Sequence, residues 1–72
     1  MTAITDQGLL ALPQVEATTT LKKTQLYDLM ARGEFPRPIK LTPEGRRVAW
    51  LKSEVLQWVA DRVHESRAQR IA

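Results

Sequence analysis

Residues 22 to 28 read Lys22-Lys23-Thr24-Gln25-Leu26-Tyr27-Asp28, a set of side chains suited to the edges of base pairs. Gln matches the paired donor and acceptor on adenine, Lys reaches guanine or a phosphate, and Thr meets a phosphate or a thymine methyl. Further along, Arg37, Lys40, Arg46 and Arg47 supply cations for a phosphate backbone, and Arg in particular favours a narrow, electronegative minor groove. Each feature has a plainer structural counterpart. Gln25 can serve as a helix cap, Lys22 and Lys23 as solvated residues at a helix start, and Arg47 as an outward strand residue that discourages edge pairing. Their joint occurrence points to double-stranded DNA. Lys23, Thr24, Gln25 and Asp28 are the expected major-groove readers; Lys22, Arg37, Lys40, Arg46 and Arg47 are the expected backbone or minor-groove contacts.

Catalysis has no comparable set. The 72 residues include no cysteine and one histidine, His64, which stands beside Glu65 near a helix end. Ser53 and Ser66, the only serines, have no histidine at a plausible base position. Gly8, Gly33 and Gly45 are isolated from one another, so no phosphate loop forms, and the carboxylates show no calcium-loop spacing. The sequence therefore predicts no enzyme, no metal site and no cofactor.

The charge is unevenly placed. Residues 1–21 carry Asp6 and Glu16 and no base, whereas residues 22–52 carry eight Lys and Arg against Asp28, Glu34 and Glu44. The last twenty residues balance, so the net charge of +3 arises in the middle of the chain. A local basic patch on an otherwise neutral small domain is the footprint of a polyanionic partner. No unbroken apolar stretch exceeds four residues, against the roughly 20 needed to span a bilayer. With no basic leader either, the expectation is a cytoplasmic protein that uses no membrane.

The elements that must position these groups follow from capping and periodicity. Leu9 to Leu12 supply apolar anchors, and Pro13 fits the first position of a short helix over about 13–19. Lys22 caps a second helix, with Leu21 and Leu26 as a hydrophobic staple and Gln25 reaching back to the cap amide. Leu26, Leu29 and Met30 form its buried stripe, Tyr27 lies on the border, and Gly33 ends it in a left-handed conformation. Two prolines then keep Glu34 to Pro38 extended. Ile39-Lys40-Leu41 and Arg46 to Leu51 flank Thr42-Pro43-Glu44-Gly45, whose Pro and Gly suit a type I turn. The alternation predicts a hairpin with Ile39 and Leu41 facing Val48 and Trp50, and with Lys40 and Arg47 outward.

A last helix is predicted from a Ser53 cap to about Arg67, burying Val55, Leu56, Val59, Ala60 and Val63 with Trp58 at the edge. Trp50, Trp58, Tyr27 and Phe35 would supply much of the core, which leaves no aromatic platform for stacking single-stranded bases. The fold class is mainly α with a small β-hairpin, a winged helix-turn-helix whose two-stranded wing lies between helices 2 and 3. Residues 1–8 are read as a disordered tail, 9–67 as the domain and 68–72 as a frayed end.

The run Leu12-Pro13-x-Val15, then Leu26-Tyr27-x-Leu29-Met30-x-Arg32-Gly33-Glu34-Phe35-Pro36-x-Pro38-Ile39-Lys40-Leu41, then Val48-Ala49-Trp50 and Ser53-Glu54-Val55-x-x-Trp58-Val59 closely resembles the AlpA family. These are small phage and mobile-element regulators with a MerR-like winged helix, related to phage excisionases. Thr20, Leu21 and Lys22 stand where the family commonly has glycine, leucine and serine. Losing the serine cap costs about 1 kcal/mol of helix stability; Lys22 sets a cation there instead.

The resemblance implies a sequence-specific DNA binder that serves a phage or mobile element as transcriptional regulator, excisionase or both. It also implies self-association on adjacent DNA sites and a recombinase or integrase as a partner. The alternative is a protein-interaction module that holds a recombinase or repressor through the last helix or the hairpin edge, without substantial DNA affinity.

Overall fold

The computed structural model describes residues 8–71. The elements run β1 (Leu9–Leu10), α1 (Leu12–Thr19), α2 (Lys23–Ala31), β2 (Ile39–Lys40), β3 (Val48–Leu51) and α3 (Lys52–Ile71). Three helices with a hairpin between the second and third give a mainly helical, winged helix-turn-helix architecture. The anticipated tail at residues 1–8 lies outside the described residues except for Gly8.

The wing has a third strand. Leu9 and Leu10, read from sequence only as apolar anchors, pair antiparallel with Leu51 and Trp50, giving the strand order β1-β3-β2. The carbonyl of Gly8 continues this ladder by accepting the Lys52 N–H at 3.1 Å. Ser53 is not the cap but lies inside the helix: α3 starts at Lys52, straight out of β3, and runs to Ile71 rather than ending near Arg67.

α1 begins one residue earlier than Pro13 implies, placing the proline second in the helix. The side chain of Gln14 reaches back to accept the Ala11 N–H at 2.8 Å. Only three residues separate α1 from α2, and the first, Thr20, is left-handed at φ 63. α2 ends as its glycine predicts. Gly33 sits at φ 76, its N–H donates to Met30 O at 3.0 Å and the Glu34 N–H donates to Leu29 O at 2.8 Å, the paired bonds of a Schellman motif.

The core is thin. Leu10, Val15, Leu26, Met30, Phe35, Trp50 and Val55 form its buried cluster, with Leu12, Leu21, Leu29, Val48 and Trp58 packed against it. Leu21 and Leu26 thus join one core from either side of the α2 start, as a staple requires. Trp50 is fully buried, and its indole N–H donates to Pro36 O at 3.0 Å. Trp58 packs edge-to-face on Phe35 with ring centroids 5.0 Å apart, and its N–H donates to Glu34 O at 2.7 Å. Together the two tryptophans pin the extended segment after α2, whose carbonyls have no ladder partner of their own.

Three packing expectations are corrected. Tyr27 is 43% exposed and leaves the core. The hairpin register differs by one residue: Ile39 pairs with Ala49 and Lys40 with Val48, and the Leu41 N–H donates to Arg47 O at 2.7 Å. Ile39 and Leu41 therefore share the face of the buried Ala49 and the exposed Arg47, and Lys40 turns to the face of Val48 and Trp50. The cause is in the turn. The Gly45 N–H donates to Thr42 O at 2.9 Å, and Gly45 itself is left-handed at φ 76. A type I turn followed by a left-handed residue adds one position to the loop, and one position reverses every side chain in the strand.

The third correction concerns α3. Of its apolar stripe only Val55 is buried and Val59 half-buried, while Leu56 and Val63 are 46% and 42% exposed and Ala60 is exposed too. A helix of about 100° per residue turns Leu56, Ala60 and Val63 away from the line of Val55 and Trp58. α1, at 8 residues, is too short to cover that second line along a helix of 20.

Candidate nucleic-acid interface

The buried residues Leu26 and Met30, with Leu29 half-buried, hold α2 against the core. At about 100° per residue, Thr24, Asp28 and Ala31 then point outward, flanked by Lys23 and Tyr27 on one side and by Gln25 and Arg32 on the other. Lys22, Lys23, Thr24, Gln25 and Asp28 are all exposed. The helix start is thus a convex, polar, cation-bearing surface, presented by the short turn after α1.

Two of the candidate readers already have partners. Gln25 Oε1 accepts the Lys22 N–H at 2.9 Å, so the amide oxygen makes the cap that the sequence anticipates. That bond uses the oxygen alone and does not involve the Nε2 donor. Asp28 Oδ2 accepts from Arg32 at 2.6 Å, and Arg32 also lies 4.0 Å from Glu34 Oε1. Asp28 therefore presents a neutralised pair, which lowers the repulsion that a bare carboxylate would set against phosphate. Both partners are more than half exposed, so the pair is worth only a few tenths of a kcal/mol to the fold. Arg32 was not among the candidate site residues. Its signal was the acid–base spacing of four, which places opposite charges on one helix face.

The wing carries a second basic group. Arg46 and Arg47 are exposed beside the turn. The Lys40 side chain lies over the turn glycine, its Cδ 3.4 Å from where a Gly45 Cβ would stand. Gly45, which has no Cβ, thus leaves room for the lysine stem to lie across the turn that Arg46 and Arg47 follow. Arg37 stands apart from the wing tip. It lines a shallow groove with Pro36, Glu54, Gln57, Trp58 and Asp61, where the carboxylates of α3 face it.

Among the described residues no group of three or more His, Asp or Glu side chains is placed to hold a metal ion. No helix there is long and apolar enough to cross a membrane.

The family described as Prophage CP4-57 regulatory protein (AlpA) matches residues 8–63, from the residue before β1 into α3. An uncharacterized protein, ORF88, of Enterobacteria phage P4 is 40% identical over 60 residues, which are 83% of this chain and 66% of that relative. The chain thus spans just under two thirds of the relative's length. No solved structure matches the chain. The matched stretch contains the whole helix-turn-helix, the wing and the tryptophans that brace it, and the chain belongs to the AlpA family of prophage regulatory proteins.

Proposed function

We propose that this protein is a sequence-specific, double-stranded DNA-binding regulator of a phage or mobile element. The N-terminal half of α2 enters the major groove, where Lys23, Thr24, Gln25 and Asp28 meet base edges and Lys22 meets a phosphate. Arg46, Arg47 and Lys40 at the wing tip hold the backbone or the minor groove, and Arg37 adds a backbone contact beside α3. The observation that carries this reading is the exposure of every polar residue at the start of α2, on a helix joined to α1 by a three-residue turn. That is the arrangement by which a helix-turn-helix presents its second helix to DNA.

One physical act serves both roles open to such a regulator. A single promoter site suffices for transcriptional control, whereas an excisionase works through neighbouring protomers on adjacent sites beside an integrase.

The test is a salt titration of binding to duplex DNA from the element's own promoter and attachment region, against a scrambled duplex. The native duplex is preferred, and log affinity falls steeply with log salt. Replacing Arg46 and Arg47 by Ala weakens both duplexes alike and flattens the salt slope by about 0.9 for each phosphate no longer neutralised. A folded protein that binds neither duplex at low salt refutes the proposal. Stepwise shifts on the attachment region identify the excisionase role, and a single shift at the promoter identifies the regulator.

A further inference from the structure

α3 carries an apolar line that the rest of the described chain leaves uncovered. Leu56, Ala60 and Val63 fall along one exposed stripe, with the half-buried Val59 at its border, at the spacings of three and four that align residues on a helix. Lys52 lies at the stripe's N-terminal end and Arg67 at its C-terminal end, both exposed. The three carboxylates of the helix, Glu54, Asp61 and Glu65, all fall on the opposite half. There Asp61 accepts from Gln57 at 2.9 Å and Glu65 from Arg62 at 2.8 Å. The stripe is therefore apolar along its middle, cationic at both ends and free of acid.

We propose that this stripe docks an amphipathic helix of a partner protein, one whose apolar seam is bounded at each end by carboxylates. Ridges spaced by three and four residues fit the grooves of another helix. The distance from Lys52 to Arg67 is about 22 Å at the helical rise, which sets the partner segment at about four turns. Charge decides between this occupant and a second copy of the chain. An antiparallel copy would set Lys52 against Arg67 at both ends, and a parallel copy would set each cation against itself, with no acid on the face to relieve either. The site lies on α3, apart from the DNA-reading start of α2, so it stands or falls independently of the DNA proposal.

The test uses the full chain and two fluorescently labelled helical peptides of about 18 residues. Both carry the same leucine seam; one has Glu at both ends of it and the other has Lys. The Glu-ended peptide binds about tenfold tighter, because two favourable end contacts replace two repulsive ones. L56E/V63E, which changes side chains already exposed, abolishes binding while circular dichroism and duplex binding stay as in the parent. K52E/R67E keeps the apolar seam and reverses the preference between the peptides.

Equal binding of the two peptides, binding of neither, or full binding by L56E/V63E overturns the proposal. So does a parent dimer in sedimentation velocity that L56E/V63E disperses, since the stripe is then covered by a second copy. Flotation with phosphatidylglycerol vesicles that L56E/V63E abolishes also overturns it and assigns the stripe to lipid.

Discussion

Thr20 is the only non-glycine residue with positive φ among the described residues, at φ 63 and ψ 13. It ends α1 with its N–H donating to Glu16 O at 2.7 Å, and it opens the turn that sets α2 against α1. An L-residue in this conformation costs about 1–2 kcal/mol, and a β-branched side chain is among the least tolerant of it. Thr20→Gly removes that strain. Against it stands the greater freedom of glycine in the unfolded chain, about 0.5–1 kcal/mol. The hydroxyl bond to Thr19 O is exposed, so water replaces it at little cost. The net expectation is a gain of about 0.5–1 kcal/mol, or roughly 2–8 °C in melting temperature for a domain of this size. Urea denaturation read by circular dichroism measures it as a higher midpoint at unchanged slope. Thr20→Ala keeps the left-handed strain and serves as the control, with no gain. A glycine variant that melts at or below the parent, or an alanine variant that gains as much, refutes the reasoning.

Gln25→Ala removes the acceptor of the Lys22 N–H and lowers stability by about 1 kcal/mol; it also reduces the preference for the native duplex over the scrambled one. Gln25→Glu keeps the cap and the parent's melting temperature, yet loses the Nε2 donor and weakens duplex binding; parent-like affinity and preference would place that donor away from DNA. Trp50→Phe leaves the Pro36 carbonyl unpaired and opens a void beside a fully buried side chain. It costs about 2–4 kcal/mol in a denaturant titration, and a loss under about 1 kcal/mol contradicts the bracing role. Gly33→Ala meets no atom within 4 Å but must hold φ 76. It therefore destabilises by about 1 kcal/mol through the backbone alone, measurable as a lower thermal midpoint.

The local features of α2 were legible because each is decided within a few residues. The reach of Gln25 to the Lys22 amide, the Leu26–Met30 stripe and the left-handed Gly33 all follow from helix geometry and end chemistry. The turn hydrogen bond from Gly45 to Thr42 followed in the same way from a proline and a glycine at their proper places. The exposure of Lys22, Lys23, Thr24, Gln25 and Asp28 was legible for a related reason: polar residues at the start of a helix need only the helix and its buried face to be positioned.

What the tertiary structure alone decided involves partners distant in the chain. Leu9 and Leu10 form a strand only because β3, some forty residues on, presents a free edge to them, and the Gly8 carbonyl then accepts the N–H of Lys52, the first residue of α3. The register of Ile39 and Lys40 depends on one left-handed residue in the turn, and alternation by itself reads equally well in either phase. Periodicity marks Leu56, Ala60 and Val63 as an apolar line, but burial requires a second surface. Here the small sheet and the 8-residue α1 cover only the neighbouring line. Sequence alone thus determined which segments are helices and turns and what chemistry their exposed ends carry. Which apolar faces found a partner was left to long-range packing, because burial belongs to pairs of surfaces and not to either segment alone.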